Sequence, residues 1–124
     1  MSLNDRDPAH LHDILDATVR AKELLEDASL ESFREDWRTR LAVERLFEII
    51  GEAARRIDER TRSRYPEIPW REIIGLRNII SHEYDKIDDE EIFRIASVDI
   101  PDLKSNISRI LQEIDANPSS RSSD

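Results

Sequence analysis

The residues best suited to chemistry lie between positions 69 and 85, where polar side chains interrupt an apolar helical pattern. Arg77, Asn78, Ser81, His82 and Tyr84 fall within eight positions of one another. Histidine titrates near neutral pH and can give or take a proton, and arginine holds phosphate oxygens through paired hydrogen bonds. Such a set could cleave RNA, because the neighbouring 2′-hydroxyl supplies the nucleophile. The protein need only transfer protons and place a positively charged side chain beside the phosphate.

A helix is predicted from Pro69 to about Tyr84. Proline suits the first helical position, because its backbone angle is already helical and its missing N–H would have no partner there. Ile73, Leu76 and Ile80 then recur at three- and four-residue spacing, which marks the buried stripe of an amphipathic helix.

The polar residues of this helix form two neighbouring strips. Arg77, Ser81 and Tyr84 share one face, and Asn78 and His82 share the other. Arg77 and His82 are five residues apart and point about 140° away from each other. Either the helix loosens near His82, or a second copy of the chain supplies the missing group across a two-fold interface. We favour the homodimer.

The pattern Arg77-x4-His82-x-Tyr84 resembles the motif of HepT-type toxins, a branch of the HEPN superfamily of all-helical ribonucleases. LAVERLFEIIGEAA at 41–54 and IPWREIIGLRN at 68–78 are similar to the same family. The resemblance implies a metal-independent, homodimeric endoribonuclease. Arg77 would hold the phosphate of the RNA substrate, His82 would act as general base or acid, and Asn78 would orient His82 or contact the sugar.

The resemblance also implies a protein partner. In HepT-like toxins of type VII toxin–antitoxin systems, a nucleotidyltransferase antitoxin transfers AMP to the tyrosine of the motif, a position that Tyr84 occupies here. The added negative charge would compete with RNA phosphate near Arg77. In an alternative interpretation the chain is a non-catalytic helical dimer that serves as the binding partner or substrate-binding subunit of a nucleotidyltransferase. The acidic composition favours this alternative, and the intact motif favours the enzyme.

Composition excludes several other classes of protein. A chain of 124 residues fits one domain. The absence of cysteine excludes disulfides and thiolate metal sites. The sequence has neither a metal-ligand cluster nor a glycine-rich phosphate loop, so no metal or other cofactor is expected. It also lacks a membrane-length apolar run and a signal-peptide pattern, which predicts a soluble cytoplasmic protein.

The net charge of −9 argues against a general nucleic-acid binder. Residues 55–77 differ from the rest of the chain, because they hold seven basic and four acidic side chains and lead directly to Arg77. A local cationic groove on an acidic body is one interpretation of this segment. Solvated arginines near a helix end are the other.

The expected architecture is all-α, an up-and-down four-helix bundle with an additional short helix. Asp7 is expected to cap the first helix. We expect helices over about residues 7–27, 32–61 and 69–84, another from residue 88, and a last one that opens at a kink at 99–101. Residues 1–117 would form the domain, and 118–124 a disordered tail.

The predicted second helix has two features that bear on the site. Its apolar face, which includes Phe33, Trp37 and Leu41, is wide enough to pack against two neighbours or against a dimer partner. Gly51 lies inside the helix, where glycine costs about 1 kcal/mol relative to alanine. A close helix crossing would explain this glycine, and Glu52 beside it could then reach the site in a supporting role.

Overall fold

The computed structural model describes residues 5–81 and 89–116, and for residues 78–81 it describes only the backbone. The predicted all-α class is confirmed for this part of the chain, in which every regular element is helical. The elements are α1 (Asp7–Leu25), α2 (Leu30–Glu35), α3 (Trp37–Arg56), α4 (Glu59–Arg64), α5 (Trp70–Ser81), α6 (Asp89–Arg94), a π-helical segment (Ile95–Asp99) and α7 (Ile100–Ala116). The predicted tail at 118–124 lies outside the described residues.

One hydrophobic core joins the longer helices. Helix α3 packs against both α1 and α5, and α1 packs in addition against α7. The short helices α2 and α6 pack against each other, and the rings of Phe33 and Phe93 lie there with their centroids 5.4 Å apart. The central side chains of the core are fully buried; they include Leu11, Ile14, Phe47, Ile50, Ile107 and Ile110. Within the described ranges, no helix has both the length and the apolar character needed to cross a bilayer.

The prediction of one long helix over residues 32–61 is wrong, because two aspartates begin new helices within it. The Asp36 carboxylate accepts hydrogen bonds from the N–H groups of Arg38 and Thr39, each at 3.2 Å, and so caps α3. At the other end, Ile57 is extended and buried. The Asp58 carboxylate then accepts from the N–H of Arg60 at 2.8 Å and caps α4.

The prediction that Asp7 caps α1 is also wrong. Asp7 is the first residue of the helix, and Arg6 before it makes no side-chain cap. The Asp7 carboxylate is 1% exposed and accepts hydrogen bonds from the N–H of Asp58 at 3.1 Å and from the hydroxyl of Thr61 at 2.5 Å. It therefore joins the start of α1 to the start of α4, which accounts for a buried carboxylate in this position.

The last helix begins at Ile100, within the predicted range 99–101, and a π-helical segment precedes it. Ile100 keeps helical backbone angles, and its N–H donates to the carbonyl of Ile95, five residues earlier. Pro101 has no N–H to donate, and its ring would crowd the preceding turn of an ordinary α-helix. The wider π turn accommodates the proline, so the chain remains helical from α6 into α7.

Helix α5 starts one residue later than predicted, at Trp70. The carbonyl of Pro69 accepts the hydrogen bond from the N–H of Ile73 at 3.0 Å, so Pro69 precedes the first turn. The buried Trp70 indole donates to the carbonyl of Tyr65 at 3.0 Å. This bond fixes the start of α5 against the loop that follows α4. It thereby helps to position Arg77, which lies two turns later on the same helix.

Candidate functional site

The close helix crossing predicted at Gly51 is confirmed. A Cβ atom added at Gly51 would lie 3.2 Å from the carbonyl oxygen of Ile73, 3.3 Å from that of Ile74 and 3.4 Å from the Cβ of Arg77. These distances are tighter than most Cβ contacts, so glycine, which has no side chain, allows the backbones of α3 and α5 to approach closely here. The next residue of α3, Glu52, consequently lies within reach of Arg77 on α5.

Glu52 and Arg77 form an ion pair across this crossing. The Arg77 Nη1 donates to the Glu52 Oε2 at 3.1 Å, although 25 positions separate the two residues in sequence. The Arg77 side chain is 55% exposed, and the Glu52 side chain is 29% exposed. The carboxylate therefore holds the guanidinium group of a side chain that is more than half exposed, and arginine in such a position can bind a phosphate.

Two further arginines contact the same carboxylate. The Arg55 Nη2 and the Arg56 Nε donate to the Glu52 Oε1 at 2.7 and 3.1 Å. We call Arg55, Arg56 and Arg77, gathered on Glu52, the arginine cluster. Sequence analysis did not single out Arg55 and Arg56, but the signal was present: they follow Glu52 by three and four residues on one helix and begin the basic segment 55–77.

The charges of the cluster reinforce the ionised state of its carboxylate. The hydrogen bond from Arg55 lowers the pKa of the Glu52 carboxyl below its ordinary value, and the positive charges of Arg55, Arg56 and Arg77 act in the same direction. In return, Glu52 raises the pKa of the Arg55 guanidinium. At neutral pH the ionised Glu52 carboxylate thus lies beside three positively charged guanidinium groups.

Of the residues predicted for the site, the structure brings Arg77 and Glu52 together. The backbone of Asn78 and Ser81 continues α5 beyond Arg77, and their side chains lie outside what the structure describes. His82 and Tyr84 lie outside the described residues. The roles of all six residues in catalysis or modification stay predictions.

A separate groove lies between α5 and the helices α6 and α7, with a volume of about 720 Å³. Its lining includes the carboxylates of Glu67, Glu72, Asp99 and Asp102. Carboxylates repel nucleic-acid phosphates, so this groove does not suit RNA. Among residues 5–81 and 89–116, no group of three or more histidine, aspartate or glutamate side chains could hold a metal ion.

Comparison with known proteins gives the family. The sequence profile described as "Ribonuclease HepT-like" matches residues 14–110. The chain belongs to this family. The matched range contains the whole arginine cluster together with His82 and Tyr84, and the sequence-based recognition of a HepT-like ribonuclease is confirmed.

Individual relatives of the HepT-like family agree with the profile. "Putative RNase MJ1380" of Methanocaldococcus jannaschii is 38% identical over 99 residues, which span 80% of this chain and 91% of the relative. "Probable ribonuclease HepT" of Thermococcus cleftensis is 35% identical over 101 residues, spanning 82% and 92%. "Putative RNase TTE0752" of Caldanaerobacter subterraneus is 32% identical over 104 residues, spanning 84% and 93%. No solved structure matches the chain significantly.

Proposed function

We propose that this protein is a metal-independent endoribonuclease toxin whose active site lies at the end of α5. The observation that carries the proposal is the placement of Arg77. The Arg77 side chain is more than half exposed, is held by Glu52 at the α3–α5 crossing, and belongs to the Arg-x4-His-x-Tyr pattern in the sequence of a HepT-like ribonuclease. Arginine in this setting offers a fixed positive charge to a phosphate at low cost in side-chain ordering.

The proposed reaction uses the 2′-hydroxyl of the RNA as nucleophile. One His82 accepts the 2′-hydroxyl proton as the 2′-oxygen bonds to phosphorus, and the bond from phosphorus to the 5′-oxygen breaks. A protonated His82, supplied by the second subunit, gives a proton to the departing 5′-oxygen. The products are a 2′,3′-cyclic phosphate and a 5′-hydroxyl. Arg77 neutralises charge on the phosphate, Asn78 orients His82 or contacts the sugar, and Ser81 has a supporting role.

We further propose that the protein is a homodimer of four-helix bundles joined through α3. Trp37 and Leu41 are 64% and 55% exposed, although both belong to the apolar face expected to be buried. They lie one turn apart on α3, and the same face continues towards Glu52 and Arg55. Adjacent exposed apolar residues of this size are typical of an interface. Pairing through this face would bring the arginine clusters of two subunits towards one cleft.

The proposed regulation acts on Tyr84. A partner nucleotidyltransferase antitoxin transfers AMP to its hydroxyl in the cytoplasm, as in a type VII toxin–antitoxin system. The modification places negative charge close to Arg77 in sequence, so it competes with RNA phosphate and silences the nuclease.

The reaction is tested with two RNA oligonucleotides of one sequence, one ordinary and the other methylated at every 2′-oxygen. We expect the purified dimer to cleave only the ordinary RNA, to leave 5′-hydroxyl ends and to act equally well in EDTA. Cleavage of the methylated RNA would contradict the role of the 2′-hydroxyl. Complete loss of cleavage in EDTA would contradict the metal-free scheme.

The regulation is tested by the intact mass of the protein after co-expression with its neighbouring gene, which under this proposal encodes the nucleotidyltransferase. We expect mass gains in whole AMP units on the peptide that contains Tyr84, and none in Tyr84→Phe. The other tyrosine of the chain, Tyr65, is buried in the core and provides the matched control, Tyr65→Phe, which should still be modified. AMP on the Tyr84→Phe variant would assign the acceptor elsewhere.

A second candidate function is a non-catalytic dimer that binds a nucleotidyltransferase as a partner or substrate-binding subunit. The net charge of −9 favours it, because most nucleic-acid-binding proteins are cationic. Stable complex formation with the nucleotidyltransferase, without RNA cleavage by the unmodified protein, would support this candidate over the enzyme.

A further inference from the structure

The arginine cluster contains more positive charge than one scissile phosphate requires. Arg55, Arg56 and Arg77 are 55%, 60% and 55% exposed, and all three contact the Glu52 carboxylate. One carboxylate cannot neutralise both Arg55 and Arg56, so the end of α3 has excess positive charge on an otherwise acidic protein.

Other ion pairs of the described residues are balanced differently. Arg94 lies between the carboxylates of Glu91 and Asp99, at 2.8 and 3.3 Å. Arg109 has its own carboxylate, Glu67, at 2.6 Å. Each of these two arginines therefore has at least one carboxylate of its own. At Glu52, by contrast, three arginines contact one carboxylate.

The dipole of helix α3 does not by itself account for the three arginines that contact Glu52. Basic residues in the last turn of a helix complement its dipole, and Arg55 and Arg56 do occupy the last turn of α3. The dipole, however, does not explain why Arg77 of another helix joins them on one carboxylate. The close crossing at Gly51 brings the third guanidinium to the cluster, so exposed arginines of α3 and α5 lie side by side.

We infer that Arg55 and Arg56 bind the RNA backbone at a phosphate next to the one held by Arg77. This inference rests on the proposed function and assigns two residues that the Arg-x4-His-x-Tyr pattern does not contain. Glu52 keeps the three guanidinium groups close together before RNA binds, and the strand then crosses from α5 to the end of α3. Because contacts to phosphates carry no sequence information, this site recognises single-stranded RNA without reading its sequence.

The test measures binding of a fluorescent single-stranded RNA that is methylated at every 2′-oxygen, which separates binding from cleavage. The Arg55→Gln/Arg56→Gln variant should bind more weakly, and the slope of log affinity against log salt should fall in magnitude by about 0.7, the value for one lost phosphate contact. Arg94→Gln/Arg109→Gln removes the same charge elsewhere and should keep the slope of the unaltered protein. Arg55→Lys/Arg56→Lys keeps the positive charge and should largely restore it.

Equal slopes for the Arg55/Arg56 and Arg94/Arg109 glutamine variants would overturn the inference, because general charge would then account for binding. Circular dichroism and thermal melting establish that each variant is folded before its slope is compared. If the protein binds with the expected slopes but does not cleave ordinary RNA, the inference stands and the proposed nuclease function fails. If the protein cleaves RNA and the slopes are equal, the proposed nuclease function stands and the inference fails.

Discussion

Glu52 has two opposing effects on Arg77. Its carboxylate positions the guanidinium through the hydrogen bond at 3.1 Å, and it also occupies a donor that could otherwise contact RNA phosphate. Positioning matters for the rate, because a displacement of about 1 Å in an active site can cost about 100-fold. Competition with phosphate matters for affinity. The two effects can therefore be separated by kinetics.

We expect Glu52→Gln to lower kcat, by up to about 100-fold, and to lower KM because the competing negative charge is gone. Glu67→Gln, which removes a carboxylate paired with Arg109 at 2.6 Å, is the matched control and should change neither constant. A rise in KM with unchanged kcat would show that Glu52 does not position Arg77.

The pH dependence of cleavage distinguishes His82 from Glu52. The arginines lower the pKa of Glu52, so its carboxylate stays ionised throughout the neutral range and its contribution to stability is lost only as pH falls through that lowered pKa. Histidine titrates at about 6.5. We expect cleavage rates to change between about pH 5 and 8 with the titration of His82. The Glu52→Gln variant should keep the same profile, and a shifted profile would implicate the glutamate.

At the scale of elements, the two glycines of the chain differ in their surroundings. Gly51 lies at the α3–α5 crossing against backbone carbonyls, whereas a Cβ added at Gly75 on α5 would meet nothing within 4 Å. The same substitution should therefore have opposite effects at the two positions.

Gly75→Ala should raise the free energy of unfolding by about 1 kcal/mol, the difference in helix propensity. Gly51→Ala gains the same propensity but forces the helices apart, and overpacking costs about 1–3 kcal/mol. We expect it to be no more stable than the unaltered protein and to cleave RNA more slowly, since Arg77 moves with α5. Denaturant unfolding of both variants checks this. Equal stabilisation by both substitutions would contradict a tight crossing.

Periodicity predicted α1, α5, α7 and the crossing at Gly51, because apolar spacing and an isolated helical glycine are visible in a sequence. It did not reveal the breaks at Asp36 and Asp58, since an aspartate inside a helical pattern becomes a cap only when the backbone turns there. The π-helical segment depends on a shift in hydrogen-bond register that apolar spacing does not record. The buried bond from Asp7 to Thr61 depends on contacts 54 residues apart.

The candidate site was predictable to a similar degree. The motif around Arg77 is local and was recognised from its spacing, and Glu52 followed from its place beside Gly51. The joining of Arg55 and Arg56 to Arg77 depends on how α3 and α5 cross. Sequence alone indicated only that residues 55–77 are basic.

At the scale of the whole molecule, the proposed dimer would link assembly to activity through the exposed face of α3. Trp37 and Leu41 are mostly exposed in one chain, and the Arg38 guanidinium lies over the Trp37 ring at 5.4 Å from its centroid. In the proposed dimer this face is covered by the second copy. Substitutions there should affect assembly much more than folding.

We expect Trp37→Glu/Leu41→Glu to be monomeric by light scattering, to keep its helical content and to lose RNA cleavage. Val98→Glu is the matched control, because Val98 is 54% exposed and belongs to the π-helical segment rather than to α3. That variant should remain dimeric and active. A Trp37/Leu41 variant that stays dimeric would place the interface on another surface, and a fully active monomer would show that one chain holds the complete site.

The most direct test of the central claim is the rate of RNA cleavage by the purified, unmodified protein and by its His82→Ala and Arg77→Ala variants. Arg109→Ala serves as the control for loss of an exposed arginine. We predict that the unaltered protein and the control cleave RNA, and that each motif variant is slower by at least about 100-fold while remaining folded and dimeric. Cleavage at an undiminished rate by a folded His82→Ala variant would contradict the proposed mechanism.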